Sequence, residues 1–161
     1  MTRYHTDRAV APGVDMALSA IYNKRLADKA QVVRYVVEKA MPCLRKLLDL
    51  PENVSVRIAP IKAKRTNGRY FNSEKYCEID CRLNWDQALE VLCHEMVHAE
   101  QYHTGRLSIT YNRSGMVHRW NGSIDENKGS TYKSYREQPW EIEAFSRQRE
   151  LADKVNEMLG G

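Results

Sequence analysis

Residues 94–98 read His-Glu-Met-Val-His. On a helix, histidines at this spacing lie one turn apart and can grip a single metal ion together, and Glu95 beside them is placed to move a proton. The chemistry offered is attack by a metal-activated water on a carbonyl or a similar electrophile. Catalytic zinc takes three protein ligands and keeps a fourth position open, so His94 and His98 leave one ligand to find. His103, His118, Glu141 and Glu143 are the candidates. The extended pattern H-E-x-x-H-x-x-G-x-x-H does not apply, because Gln101 stands where its glycine belongs and Thr104 where its third histidine belongs. His103, five residues beyond His98 on one straight helix, has poor geometry for closing a tetrahedron. The third ligand is therefore expected from elsewhere in the chain.

The motif sits in a helix expected to start at Asn84 as N-cap, with Gln87 three residues on as a capping box, and to end before Gly105. On a helical wheel of about 100° per residue, Ala88, Leu89, Val91, Leu92, Cys93, Met96, Val97 and Ala99 define one face. His94 falls about 180° from its centre, His98 about 140° and Glu95 about 80°. The histidines thus turn away from the main core, toward either a plain wet surface or the wall of a cleft, and the cleft is the expectation taken forward. A last helix is expected from Pro139 to the terminal glycines. Its apolar face comprises Ile142, Ala144, Phe145, Leu151, Ala152, Val155, Met158 and Leu159, with Glu141 about 20° from the centre and Glu143 about 140° away. A carboxylate on a buried face is costly unless paired or metal-bound. Glu141 is the sharper candidate, Glu143 is expected to meet solvent, and His118 stays as the runner-up.

The other elements must position these two helices. Helical spacing runs through VDMALSAIYNKRLADK and AQVVRYVVEKA, with Pro42 expected to break or kink the second stretch before a short continuation, CLRKLLDL. Alternation then takes over in VSVRIA and YCEIDCRL, which read as strands. Cys77 and Cys81 share a face with Ile79 and Leu83 and lack C-x2-C spacing, so they read as core residues and not as zinc ligands. Residues 105–138 show no sustained period except MVHRW-NG-SID, an Asn121-Gly122 hairpin, and the remainder reads as loop, a candidate lid over the metal. The expected fold is α+β in one domain over residues 1–161: a helical part through residue 50, then a core over 54–159 with a small antiparallel sheet, the HExxH helix and a closing helix.

The stretches ALEVLCHEMVHAEQYHTG and QPWEIEAF, preceded by a strand pair, resemble the small HExxH zinc metallopeptidases, in particular the SprT-like and minimal gluzincin-like proteins often encoded by bacteriophages. The resemblance covers about residues 54–150. It implies zinc held by His94, His98 and Glu141, with Glu95 as general base in peptide hydrolysis. Gluzincins often carry an acid or amide four residues after the ligand glutamate, and Phe145 occupies that position here, so a partner for the ligands must come from elsewhere. SprT-like proteins tend to use a third histidine downstream, a place His118 could fill. Tyr132 and Tyr135, together with His118 and Arg113, are available as oxyanion donors. Residues 69–82 could accept an extended substrate as an added strand.

The chain has 161 residues, 42% hydrophobic and 29% charged, with a net charge of +4. That suits one globular domain and gives weak support to polyanion binding, concentrated at Lys62, Lys64, Arg65 and Arg69. SprT-like relatives are associated with DNA-bound protein substrates, so a weak DNA association is an expectation alongside a protein or peptide substrate. Four cysteines, Cys43, Cys77, Cys81 and Cys93, fit free thiols in a reducing compartment. No apolar run reaches membrane-span length and the opening residues lack a signal-like apolar segment, so the expected location is cytoplasmic, a host cytoplasm if the chain is phage-encoded. The competing readings are a catalytically silent zincin-fold regulatory or nucleic-acid-associated protein with structural zinc, and a metal-free interaction module in which HEMVH is accidental. Oligomeric state is not legible.

Overall fold

The computed structural model describes residues 16–160 and has an α+β architecture. In chain order the elements are α1 (Met16–Leu48), β1 (Ser55–Ala59), β2 (Gly68–Phe71), β3 (Tyr76–Asp80), α2 (Trp85–His103), β4 (Leu107–Asn112), β5 (Gly115–Trp120), β6 (Ser123–Asp125), α3 (Tyr132–Arg136) and α4 (Pro139–Met158). The start of the first expected helix, Val14 and Asp15, lies outside the described residues. Among these residues, no helix is long and apolar enough to cross a membrane.

Of the break or kink expected at Pro42, the break does not occur, and α1 runs through it. A proline inside a helix costs about 3 kcal/mol through a lost backbone bond and a ring clash. The apolar stripe continues on both sides of it, with Val33, Val36, Val37, Ala40, Met41, Leu44 and Leu48 all buried. Burying that stripe on α2 and the sheet outweighs the local penalty, since a fully buried aliphatic side chain contributes about 1.5–3 kcal/mol.

Two three-stranded sheets flank α2, in the orders β1-β3-β2 and β4-β5-β6. Three of the four pairings among described residues are antiparallel, and the exception is β1 with β3, which run parallel with Val56 opposite Cys77 and Ile58 opposite Ile79. All four of those side chains are buried in one core with α1, α2 and part of α4. Cys77 and Cys81 are core residues as expected. β3 ends earlier than its alternation suggests because Asp80 turns the chain: its carboxylate accepts from the Ile61 and Arg82 amides and from the Arg82 guanidinium. Burial pushes the Asp80 pKa up, but the bonds from Arg82 and Ile61 outweigh it, and the group ends below the usual carboxylate range.

α2 forms as its ends dictate. Asn84 Oδ1 accepts from the Gln87 amide at 2.9 Å, and Gln87 Oε1 accepts from the Asn84 amide at 3.1 Å. Gly105, with φ of +77°, takes the left-handed turn that stops it. The Asn121-Gly122 turn joins β5 to β6, both residues having positive φ, 49° and 85°, as a two-residue hairpin needs. The rest of residues 105–138 is more ordered than expected, since β4 pairs with β5 over six positions and α3 is capped by Thr131. Much of the segment is a wall built by backbone pairing, and residues 126–131 are the part that stays loop as expected.

Candidate metal centre

α2 is covered on both sides. Its apolar face meets α1 and the first sheet, while the opposite face, carrying His94 and His98, lies under α4. The expected placement is thus right in direction, and the histidines are almost completely covered, at 6% and 7% exposed. α4 brings Glu141, 5% exposed, onto the same point. Its Oε1 lies 2.9 Å from His94 Nε2 and 3.1 Å from His98 Nε2, and the two Nε2 atoms are 3.2 Å apart.

The outer partners of the two rings decide what this convergence can hold. His98 Nδ1 lies 2.8 Å from Gln101 Oε1. The Gln101 Nε2 group is already donating to the Trp140 carbonyl and to Glu143 Oε2, so its amide oxygen must face the ring and His98 Nδ1 must carry the hydrogen. His94 Nδ1 likewise meets Gln148 Oε1 at 2.9 Å. With hydrogens on both Nδ1 atoms and both rings neutral, both Nε2 lone pairs point at a carboxylate oxygen, and three acceptors face one another. Either extra protons or a cation must lie among them. Donor atoms held tetrahedrally about zinc at ~2.0–2.1 Å sit ~3.3 Å apart, close to the spacing seen here. The three side chains form one group that can hold a metal ion.

Without a metal, the electrostatics place a proton there. Burial opposes charge on His98, but the Glu141 carboxylate, Glu95 and Gln101 outweigh it and carry the pKa up to about 9. Burial likewise opposes ionisation of Glu141, and its bonds to His94 and His98 reverse that, pushing it down to about 2. In Glu95 burial wins: its pKa is raised, with the two histidines pulling the other way and Glu141 adding to the rise.

β2 crosses directly over this region, and Gly68 makes the crossing possible. A Cβ on Gly68 would lie 2.5 Å from Val91 Cγ1 and 3.3 Å from Glu95 Cγ. The site opens into a cleft of about 830 Å³, lined by β2 and its preceding loop, by α2, by residues 128–132, and by Tyr135, Trp140 and Phe145.

The other expected site residues fall in different places. His118 is not part of the metal group; it stacks on Trp140 with ring centroids 4.8 Å apart, at the cleft wall, and burial lowers its pKa. The reason is register: β5 pairs His118 with Ile109 and Asp125, which turns the ring onto the start of α4. Tyr135 donates its hydroxyl to Glu141 Oε1 at 2.9 Å, and burial together with that carboxylate raises its pKa well above the ordinary value. Tyr132 lines the mouth with Arg65 over its ring at 5.0 Å and does not reach the triad. Arg113 sits in the exposed β4–β5 turn and His103 at the exposed end of α2, neither in the cleft lining. Glu143 does not meet solvent as expected: it is partly covered and bonded to Gln101 and Arg106, with Arg147 alongside. Ile142, placed on the apolar face by the wheel, is 55% exposed.

Sequence reasoning missed Gln101 and Gln148, which replace the absent partner at position 145. The signal was present. Gln101 follows His94 and His98 at helical spacing on their face, and Gln148 lies two turns beyond Glu141.

Comparison of the chain with known protein families, curated proteins and solved structures finds no match.

Proposed function

We propose that this chain is a zinc-dependent metallopeptidase of the HExxH type. The observation that carries the proposal is the convergence of His94, His98 and Glu141 into one group of three buried ligand atoms, with the buried carboxylate of Glu95 beside it at the floor of an open cleft. Zinc as the ion, a protein or peptide as substrate, and kinship with the SprT-like and minimal gluzincin-like proteins of bacteriophage type all belong to this proposal. A bound zinc ion supplies Lewis-acid polarisation of a carbonyl and an acidified water.

The chain's own residues do the rest. His94, His98 and Glu141 hold the ion, and Gln148 and Gln101 fix the two rings with Nε2 facing inward. Glu95 takes a proton from the attacking water and passes it to the leaving amine, and its raised pKa brings it nearer the working range of such a base. Tyr135 acts as a positioning residue through its bond to Glu141. Among the described residues, no strand pairs with the outer edge of β2, so an extended substrate can add there beside Glu95. β3 lies inside the sheet, which restricts that role to the β2 part of residues 69–82.

The test combines metal content with turnover. The parent is expected to hold about one zinc per chain. Glu141→Ala loses it, and Glu143→Ala keeps it. Glu95→Gln keeps zinc while peptide hydrolysis drops by about 100-fold or more. Undiminished cleavage by Glu95→Gln removes the base, and a parent that takes up no zinc removes the reading altogether.

A further inference from the structure

The mouth of the cleft carries a charge pattern that hydrolysis itself does not use. Lys64, Arg65 and Arg69 reach it from the loop before β2 and from β2, and Lys128 reaches it from the segment between β6 and α3. All four are exposed. Apart from Glu95 and Glu141, Glu90 is the single carboxylate among the lining residues. Two of these cations are held in place without an acidic partner. Arg65 has φ of +58°, a left-handed conformation that costs a non-glycine residue about 1–2 kcal/mol, and from there its guanidinium lies over Tyr132 across the mouth. Lys128 Nζ donates to the Ser114 carbonyl at 3.1 Å, a neutral partner that leaves its charge uncompensated. Arg69 is the exception, bonded to Glu78 at 2.8 Å.

We propose that the cleft selects polypeptide segments bearing acidic side chains beside the bond to be cut, read chiefly by Lys64, Arg65 and Lys128. This rests on the hydrolytic reading of the same site. A peptide fits the surroundings better than a nucleic acid does. The unpaired edge of β2 offers backbone groups to an extended peptide. A phosphodiester chain would carry a charge at every step past Glu90 and Glu95, whereas an acidic peptide carries charges only at intervals. The cations also come from two separate segments and do not form the continuous stripe that tracks a nucleic-acid backbone.

The experiment uses the zinc-loaded Glu95→Gln protein and fluorescent peptides of equal length and apolar content, one acidic, one neutral and one basic, beside a single-stranded DNA of similar length. Anisotropy is read at low and at physiological salt. The acidic peptide is expected to bind about tenfold more tightly than the neutral one at low salt, with the basic one weakest. Reversing charge with Lys64→Glu and Lys128→Glu together removes that order, zinc content and melting temperature being checked in the same preparation. Lys62→Ala, an exposed cation outside the cleft lining, behaves as the parent does. Equal affinities, no binding at all, or an order that survives charge reversal overturns the proposal. Tighter binding of the DNA than of the acidic peptide overturns it in favour of a nucleic-acid partner. Acid-selective binding without cleavage of any peptide by the parent defeats the hydrolytic reading and leaves the rim assignment standing, while cleavage without acid preference does the reverse.

Discussion

Gln101 is fully buried and meets three groups at once: His98 Nδ1 at 2.8 Å, the Trp140 carbonyl at 3.1 Å and Glu143 Oε2 at 2.6 Å. Methionine has nearly the same volume, so Gln101→Met removes the polar contacts with little change in packing. The His98 N–H is then stranded, at about 1–3 kcal/mol, whereas the Trp140 carbonyl keeps its acceptor role within α4 and Glu143 keeps Arg106, so both lose little. The metal-free fold should therefore lose about 1–3 kcal/mol. A ligand histidine deprived of its outer partner is also expected to weaken metal binding by about 10–100-fold, which chelator competition reads directly. Gln148→Met serves as the internal comparison. Gln148 is only partly covered, so water can replace its oxygen at His94 and the loss should be smaller. A Gln101→Met protein that binds zinc within about twofold of the parent would refute the assignment of Gln101 as the group that orients His98.

Gly68→Ala should force β2 away from α2, because Val91, stiff at χ1, cannot clear the new methyl group; the cost is about 1–3 kcal/mol with a fall in peptide turnover, and adding Val91→Ala should recover much of both in urea unfolding and kinetics. The pKa of His98 in the metal-free fold, about 9, lies above the ordinary 6.5 of histidine, so its contribution to stability is complete below pH 6.5 and is lost as pH rises through 9. Thermal melting of the chelated protein should fall across that window. Glu141, down at about 2, stays ionised there, so zinc must displace the His98 proton, and affinity should weaken by about tenfold per pH unit from 9 toward 7; a flat profile would contradict the pairing.

Much of this was legible where local chemistry decides. The Asn84 and Gln87 capping box, the Asn121-Gly122 turn and the alternation of Val56, Ile58, Cys77 and Ile79 each name their own geometry, and all appear in the fold. The wheel put Glu141 on the buried face of α4 because an uncompensated carboxylate there is costly, which is reason enough to look for its partners. What stayed hidden depended on tertiary context. Pro42 is tolerated because the stripe around it is buried on neighbours that a local pattern does not reveal. The strand β4 alternates Leu107, Ile109 and Tyr111 with Ser108 and Thr110, but Ile109 and Tyr111 are exposed, so the alternation reflects pairing with β5 more than core burial. Glu143 looked solvent-facing on its own helix, and only the approach of Arg106 and Gln101 from other elements covers it.

His98 and Glu141 stand 43 positions apart and meet at one point. An ion held between them closes everything from β4 to α3 into a tethered loop, anchored at one end by α2 and at the other by α4. Loop-closure entropy grows only slowly with length, so residues can be inserted or deleted in the β4–β5 turn at small thermodynamic cost without disturbing the anchors. The molecule is in this sense divided into a clamp of fixed geometry and an exchangeable insert. Grafting a different hairpin between the two helices is a route to a new cleft wall on an unchanged metal centre.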